Sequence, residues 1–567
     1  MKYKYYEDRP ERLTVEFLRD EYAKLENRVE EAEQSDTPDL WLKLFKDWEA
    51  LRAYRSGEGS RVNYAFAREM NNPALESEHR YHRVEIAPVT NDTTSRLLHA
   101  LLGSRHRDAF AGHYGDYFML AQEYSLISSN PVNTDLRVKA GELATRYSKT
   151  VASSEVTVNG ESMTLSMAMG FLISDDADLR REAYEAVRQW YQDHRDEFAA
   201  IYDEQVKLRH QMGVNLGYEN FVPLAYVDMG RTDYGPREAA LFRENVRRYV
   251  VPLEKKIMEQ QARQLGQETL RPWDANYDPE LTLPRGIVPV VTQLDSAERL
   301  FNALSPKLAD YFNRMRNENL IDLENRHGKR SGAFCTYFAD EGRPAILCNS
   351  IGDSGDVRTL VHEMGHAFQK WESSWIEVLD MLYPTADVAE IHSTGLEYLS
   401  LPYITEFFNE EHAEKFRRLL WKTKISMICR TVAGDEFQHW VYENPNATPE
   451  ERDEAWERIS EIYQPGIDYS GLGDNYKGTR WYSTQHFFQT PFYTIDYAIA
   501  ATAAMQLTMI DEQDHDRAMA IYLELCRLGG TRSLLNILND TGLRSPFEPE
   551  LMRDLMEHAA QKLGLAD

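Results

Sequence analysis

The stretch Thr359-Leu360-Val361-His362-Glu363-Met364-Gly365-His366-Ala367-Phe368-Gln369-Lys370-Trp371 constrains this chain more than any other. Two histidines four positions apart stand one above the other on a helix, where both imidazoles reach a single metal ion. Leu360, Val361, Met364, Ala367, Phe368 and Trp371 recur at helical spacing and supply an apolar face that would bury such a helix in a core. Glu363, directly after the first histidine, can meet a water at the metal without being a ligand, as metal-assisted hydrolysis requires. A five-residue pattern also arises by chance, and a helix can carry two histidines for ordinary hydrogen-bonding reasons. The metal reading therefore needs a third ligand, because a catalytic zinc takes three protein ligands and leaves one position open.

Asp387-Val388-Ala389-Glu390-Ile391-His392-Ser393-Thr394-Gly395-Leu396-Glu397-Tyr398-Leu399 supplies it. Read as a second helix, the stretch puts Glu390, Thr394 and Glu397 on one face, leaving Ile391, Leu396 and Leu399 to pack elsewhere. Glu390 is the expected third ligand, and Glu397, two turns on, the partner that orients a ligand imidazole. His392 points to another side of the helix and reads as a non-ligand. The set His362, His366 and Glu390 biases the choice of metal toward one zinc ion per chain over cobalt or manganese.

At these residues the sequence resembles the thimet oligopeptidase and oligoendopeptidase F family of zinc peptidases, most closely its oligoendopeptidase F branch. His362-Glu363-Met364-Gly365-His366 matches the metal motif, and Glu390-Ile391-His392-Ser393 that of the third ligand. Lys329-Arg330-Ser331-Gly332-Ala333-Phe334-Cys335 resembles the segment upstream of the metal helix. His486 with Pro491-Phe492-Tyr493-Thr494-Ile495-Asp496-Tyr497-Ala498 resembles the family's His/Tyr segment. The motifs follow in the family's order over roughly residues 200 to 567; before that only helical character is shared.

The resemblance implies a mainly α, multi-helix zincin-type metallopeptidase with a small β-sheet beside the active-site helix and a deep channel admitting short unfolded peptides. It implies that His486 and Tyr493 or Tyr497 donate hydrogen bonds to the oxyanion. Taken without it, those three residues read as core or cleft lining. Two alternatives remain at this stage. An exopeptidase would need a fixed group for a free terminus, and end-blocked peptides discriminate it. A catalytically inert helical peptide-binding protein would not need Glu363.

With 64 Lys and Arg against 92 Asp and Glu in 567 residues, the formal charge is −28. Such a surface repels phosphate backbones and anionic lipid, which argues against nucleic acid and membrane as partners and leaves short peptides as substrates. Cys335, Cys348, Cys429 and Cys526 show no metal-type spacing and read as buried thiols of a reducing compartment. Met1 to Pro10 lacks the apolar core of a secretory signal, so the expected location is the cytoplasm. The strongest membrane-spanning candidate, Pro491 to Ile510, carries Asp496 and Gln506 and reads better as a buried helix.

In chain order, Val15, Leu18, Tyr22, Leu25 and Val29 form one amphipathic stripe, and Leu40, Trp41, Leu44, Phe45, Trp48 and Leu51 a second after Thr37-Pro38. Asn159-Gly160 between two period-two runs predicts a β-hairpin. Ser174-Asp175-Asp176 predicts the cap of one long helix to about Gln211, and residues 236 to 265 another. Ala333 to Phe338 and Ala345 to Asn349 predict paired strands before the metal helix, where a peptide could add itself by main-chain hydrogen bonds. Pro465 to Gly478 reads equally as a glycine-rich loop suited to closing over substrate or as a plain surface turn. Pro549 to Leu563 predicts a closing helix, and Arg532 is a minor candidate for a substrate carboxylate. The expected domains are residues 1-195, N-terminal and helical with one hairpin, and 196-567, catalytic.

Overall fold

Apolar stripes at helical spacing run through almost the whole chain, and helices accordingly hold 71% of it against 5% in strands. The structure is a computed structural model and describes residues 9–473 and 476–566. The amino-terminal residues 1–8, on which most of the leader reading rests, lie outside the described residues, as do Asp474 and Asn475 of the glycine-rich loop.

Two compact units emerge, each drawn from three separate segments. One comprises residues 1–129, 284–413 and 503–543, the other residues 130–283, 414–502 and 544–567. A single cut at residue 195 does not describe this division, since it falls at the break beside His194, inside the second unit. Compactness follows long-range burial. Apolar faces of residues 13–119 close on Tyr337, Ala339 and the Ile376 to Leu382 stretch, far along the chain.

In the first unit, the first expected stripe forms the helix Val15–Glu26, its last member Val29 instead opening a separate helix, Val29–Gln34, and the second stripe forms Asp39–Arg68. Leu18, Tyr22 and Leu25 are buried with Trp41, Leu44, Phe45, Trp48 and Leu51, whereas Leu40 is exposed. Phe45 organises this core through edge-on contacts with Trp48, Phe110 and Phe118 at 5.4–5.6 Å. The predicted strand pair forms as Phe334–Phe338 antiparallel to Arg343–Ser350. A third strand, Ile321–Glu324, which period-two reasoning missed because it spans only four residues, lies parallel on the other side.

The central strand, whose Ala345 to Leu347 are fully buried, leads into the Ser354–Glu372 helix through a tight capping arrangement. The Asp356 carboxylate accepts the backbone amides of Ile351, Gly352 and Asp353 at 2.9, 2.7 and 3.1 Å. It thereby satisfies donors a helix start leaves open and fixes the helix to the sheet. The buried face packs as its period predicts: Phe368 meets Phe301 edge-on at 5.2 Å, and Trp371 stacks on Tyr311 at 5.5 Å. The next helix is Ala386–Leu399.

In the second unit, the Asn159-Gly160 hairpin forms between Val156–Val158 and Glu161–Met163, with φ of 53° and 73° at the two turn residues. Asp176 caps the next helix through the amides of Asp178 and Leu179, but that helix ends at Asp193 and a new one, Arg195–Asn215, begins after His194. The break is a correction to the single helix expected to Gln211. Residues 236–264 form Pro236–Asn245 and Val251–Gln264 joined by a π-turn at Val246–Val250. Pro252, lacking an N–H, sits where that turn has loosened the ladder. Pro549–Leu563 closes the chain as expected.

Among the described residues no helix is long and apolar enough to cross a membrane. The candidate span folds as the buried Thr494–Asp511 helix. All four cysteines are unpaired; Cys335 is half-buried and the others are buried.

Candidate metal centre and flanking groups

The His-Glu-x-x-His helix delivers its two imidazoles one turn apart, with ring centroids 5.0 Å apart. Glu390 enters from the Ala386–Leu399 helix. One ligand atom each from His362, His366 and Glu390 lies within 4.8 Å of the others. Glu390 Oε2 is 3.3 Å from His362 Nε2 and 4.0 Å from His366 Nε2. The two helices approach this closely because Gly365 faces the second one. A Cβ there would stand 2.7 Å from both the His392 carbonyl oxygen and Ser393 Cα.

Surrounding groups fix the orientation of the donors. Glu397 Oε1 is 2.8 Å from His362 Nδ1, which assigns that nitrogen as donor and turns Nε2 toward Glu390. The Ser393 hydroxyl donates to Glu390 Oε2 at 2.9 Å. His392 is buried against the Leu525 carbonyl oxygen at 3.1 Å and stands apart from the cluster. Glu363 is buried near the backbone of Cys335 in the edge strand, whose amide dipole opposes the upward pull of burial on its pKa. Its Oε2 is buried with no hydrogen-bond partner among the described residues.

Electrostatics separate these groups. Burial pulls the His362 imidazole down, but its hydrogen bonds with Glu390 and Glu397 outweigh that and hold it up at about 10. Burial would raise Glu390, yet the hydrogen bond with His362 and the nearby imidazoles bring it down to about 2. Burial, reinforced by its neighbouring cations, lowers His366 to about 3. Glu363 is pushed up to about 7, chiefly by burial.

Two imidazole nitrogens and a carboxylate oxygen form a donor set suited to a divalent transition ion. A second buried carboxylate, Glu397, behind the first histidine adds negative charge, and the next residue after that histidine, Glu363, has a buried oxygen with no hydrogen-bond partner among the described residues. These residues fit a metal ion.

His486, Tyr493 and Tyr497 gather in the second unit. The His486 and Tyr493 rings lie parallel, 5.2 Å apart at 7°, and Tyr497 meets Tyr493 edge-on at 5.3 Å. Burial lowers the His486 pKa below its usual value, which favours the neutral ring with one N–H to donate. The base of the glycine-rich loop is held by Arg271, 2.7 Å from Asp468 and 3.1 Å from the Ser470 carbonyl oxygen. Arg532, the minor candidate, lies 3.5 Å from Asp540 in the first unit.

Three contributions escaped the sequence reading. The Cys335 amide carries no residue-type signal. Ser393 was readable as three positions beyond Glu390. The close approach at Gly365 was hinted at by a glycine in mid-helix, where it weakens helix propensity.

Comparison with known proteins places the chain in a family. A solved structure of PZ peptidase A with an inhibitor superposes with a TM-score of 0.90 at 31% identity, over 100% of both chains. The oligoendopeptidase F homolog of Borreliella burgdorferi is 24% identical over 411 residues, 68% of this chain and 65% of that protein. The oligopeptidase PepF of Bacillus subtilis is 23% identical over 408 residues, 68% of this chain and 57% of the relative. The chain thus matches somewhat less than two thirds of the length of these curated relatives. Residues 6–128 match the peptidase M3 N-terminal domain. Residues 171–557, the greater part of the sequence and the part holding the metal-site and His/Tyr motifs, match the peptidase family M3, and the chain belongs to that family.

Proposed function

We propose that this protein is a zinc-dependent oligoendopeptidase that hydrolyses internal bonds of short unstructured peptides. The observation that carries the reading is the convergence of His362, His366 and Glu390 within 4.8 Å, with the adjoining Glu363 buried and its Oε2 lacking a hydrogen-bond partner among the described residues. The names of the curated relatives, an oligoendopeptidase and an oligopeptidase, support peptides as the substrate class.

His362, His366 and Glu390 would hold the ion. Bound there, zinc supplies Lewis acidity for the scissile carbonyl and for the attacking water. Glu363 takes the proton of that water and passes it to the leaving amine, and its raised pKa suits a group that must both accept and return a proton. Glu397 holds His362 in the tautomer that presents Nε2. His486 and Tyr493 or Tyr497 donate hydrogen bonds to the developing oxyanion, an assignment supported by the family's His/Tyr segment and by the clustering of the three rings.

The test is cleavage of an end-blocked nonapeptide by the metal-stripped protein before and after zinc is restored, read by mass spectrometry. Internal cuts that require zinc are expected. Cutting that needs a free terminus would make the protein an exopeptidase, and turnover surviving Glu363→Gln would remove Glu363 as the general base.

A further inference from the structure

Three non-glycine residues among those described have positive φ, and two of them are asparagines, which tolerate that region. The third is Phe492, at φ 65°, immediately before Tyr493. A bulky side chain does not hold this backbone conformation unaided, so the surroundings must impose it.

Both backbone polar groups of Phe492 are held by buried side chains from distant parts of the second unit. Its N–H donates to Gln438 Oε1 at 2.8 Å. Its carbonyl oxygen accepts from Arg231 Nη2 at 2.7 Å. Gln438 is fully buried and Arg231 nearly so. The guanidinium is fixed in turn by Asp496 at 2.6 Å and lies over the Tyr226 ring at 4.7 Å. The Phe492 ring is buried against His439 and Tyr442, 5.0 and 5.5 Å between centroids.

From these contacts we infer that Gln438 and Arg231 are positioning residues for Tyr493, clamping Phe492 in the left-handed conformation that turns the Tyr493 ring onto His486. The inference rests on the reading of Tyr493 as an oxyanion donor. Were Phe492 to relax to an extended conformation, the chain would enter Tyr493 in another direction and the parallel stacking on His486 would be lost. The Asp496 amide, which donates to the Tyr493 carbonyl oxygen at 3.1 Å, starts the following helix from that fixed point. Asp496 thus ties the clamp and the helix start together.

The experiment compares Gln438→Met, which removes the accepting oxygen at similar volume, with Tyr493→Phe and the double variant, on the zinc-loaded full chain and the end-blocked nonapeptide. Gln438→Met is expected to lower kcat by about 10- to 100-fold with KM and zinc affinity held within about twofold. In the Tyr493→Phe background it should change kcat by no more than about twofold, because the group it positions is already gone. If Gln438→Met does not fold, Gln438→Ala removes the same oxygen and carries the same comparison. An unchanged kcat in Gln438→Met, or an equal loss in both backgrounds, would overturn the positioning role. Parental kcat in Tyr493→Phe alone would instead remove Tyr493 from the proposed chemistry, and the clamp's role with it.

Discussion

Gly365→Ala is the smallest change that tests whether close approach of two helices builds the metal centre. In an isolated helix the substitution would stabilise by about 1 kcal/mol, because alanine is the better helix former. Here the new Cβ would stand 2.7 Å from the His392 carbonyl oxygen and from Ser393 Cα, against 3.4 Å for the closest ordinary contact. The obstacle is backbone, so no rotamer relieves it, and the helices must part by about 0.7 Å. Overpacking of this kind costs about 1–3 kcal/mol, which exceeds the propensity gain and leaves a net destabilisation of up to about 2 kcal/mol. The larger effect falls on metal binding. Glu390 precedes His392 by two residues, whereas both histidines ride on the other helix, so the separation acts directly on the ligand triangle. Metal–ligand distances tolerate only about 0.2 Å, and we expect zinc affinity to fall on the order of 100-fold, about 2.7 kcal/mol. Chelator competition gives the affinity, and thermal melting of the metal-free protein gives the stability separately. A variant that binds zinc like the parent and melts higher would refute the close-approach argument.

Glu397→Gln removes the charge behind His362 Nδ1 while leaving an oxygen to accept its hydrogen bond, 2.8 Å away in the parent; zinc affinity should fall about tenfold by chelator competition, the low end for such partners. Glu254, buried in the second unit with the Ser426 hydroxyl on its carboxylate, is raised by burial from 4.5 to about 7. The folded state therefore holds this proton more tightly than the unfolded state. Its stabilising contribution is full below pH 4.5 and is lost by about pH 7, a change of roughly 3 kcal/mol. Urea unfolding of Glu254→Gln and the parent across that window should show the variant gaining on the parent as pH rises; a constant difference would contradict the shift. Gly160→Ala places a Cβ in open space but at φ 73°, so it should cost about 1 kcal/mol through the backbone alone, read from the urea midpoint.

The metal helix, its partner helix, the hairpin and the strand pair were legible because each announces itself locally. His362, Glu363 and His366 lie within five residues, and the spacing of Glu390 and Glu397 puts them on one helical face. Asn159-Gly160 names its own turn. What was not legible depends on residues that meet only after folding. Two compact units, each assembled from three segments, leave no linker to read. The Cys335 backbone near Glu363 carries no side-chain signature at all. Phe492 is the sharpest case, because local preference argues against its conformation and its supports lie 54 and 261 residues away in sequence. A conformation that local propensity disfavours persists only where the tertiary structure over-determines it. That Phe492 adjoins a candidate catalytic tyrosine is therefore the reason to look for function in the clamp, and the Gln438 and Tyr493 double-variant comparison decides whether the clamp serves the chemistry or only the fold.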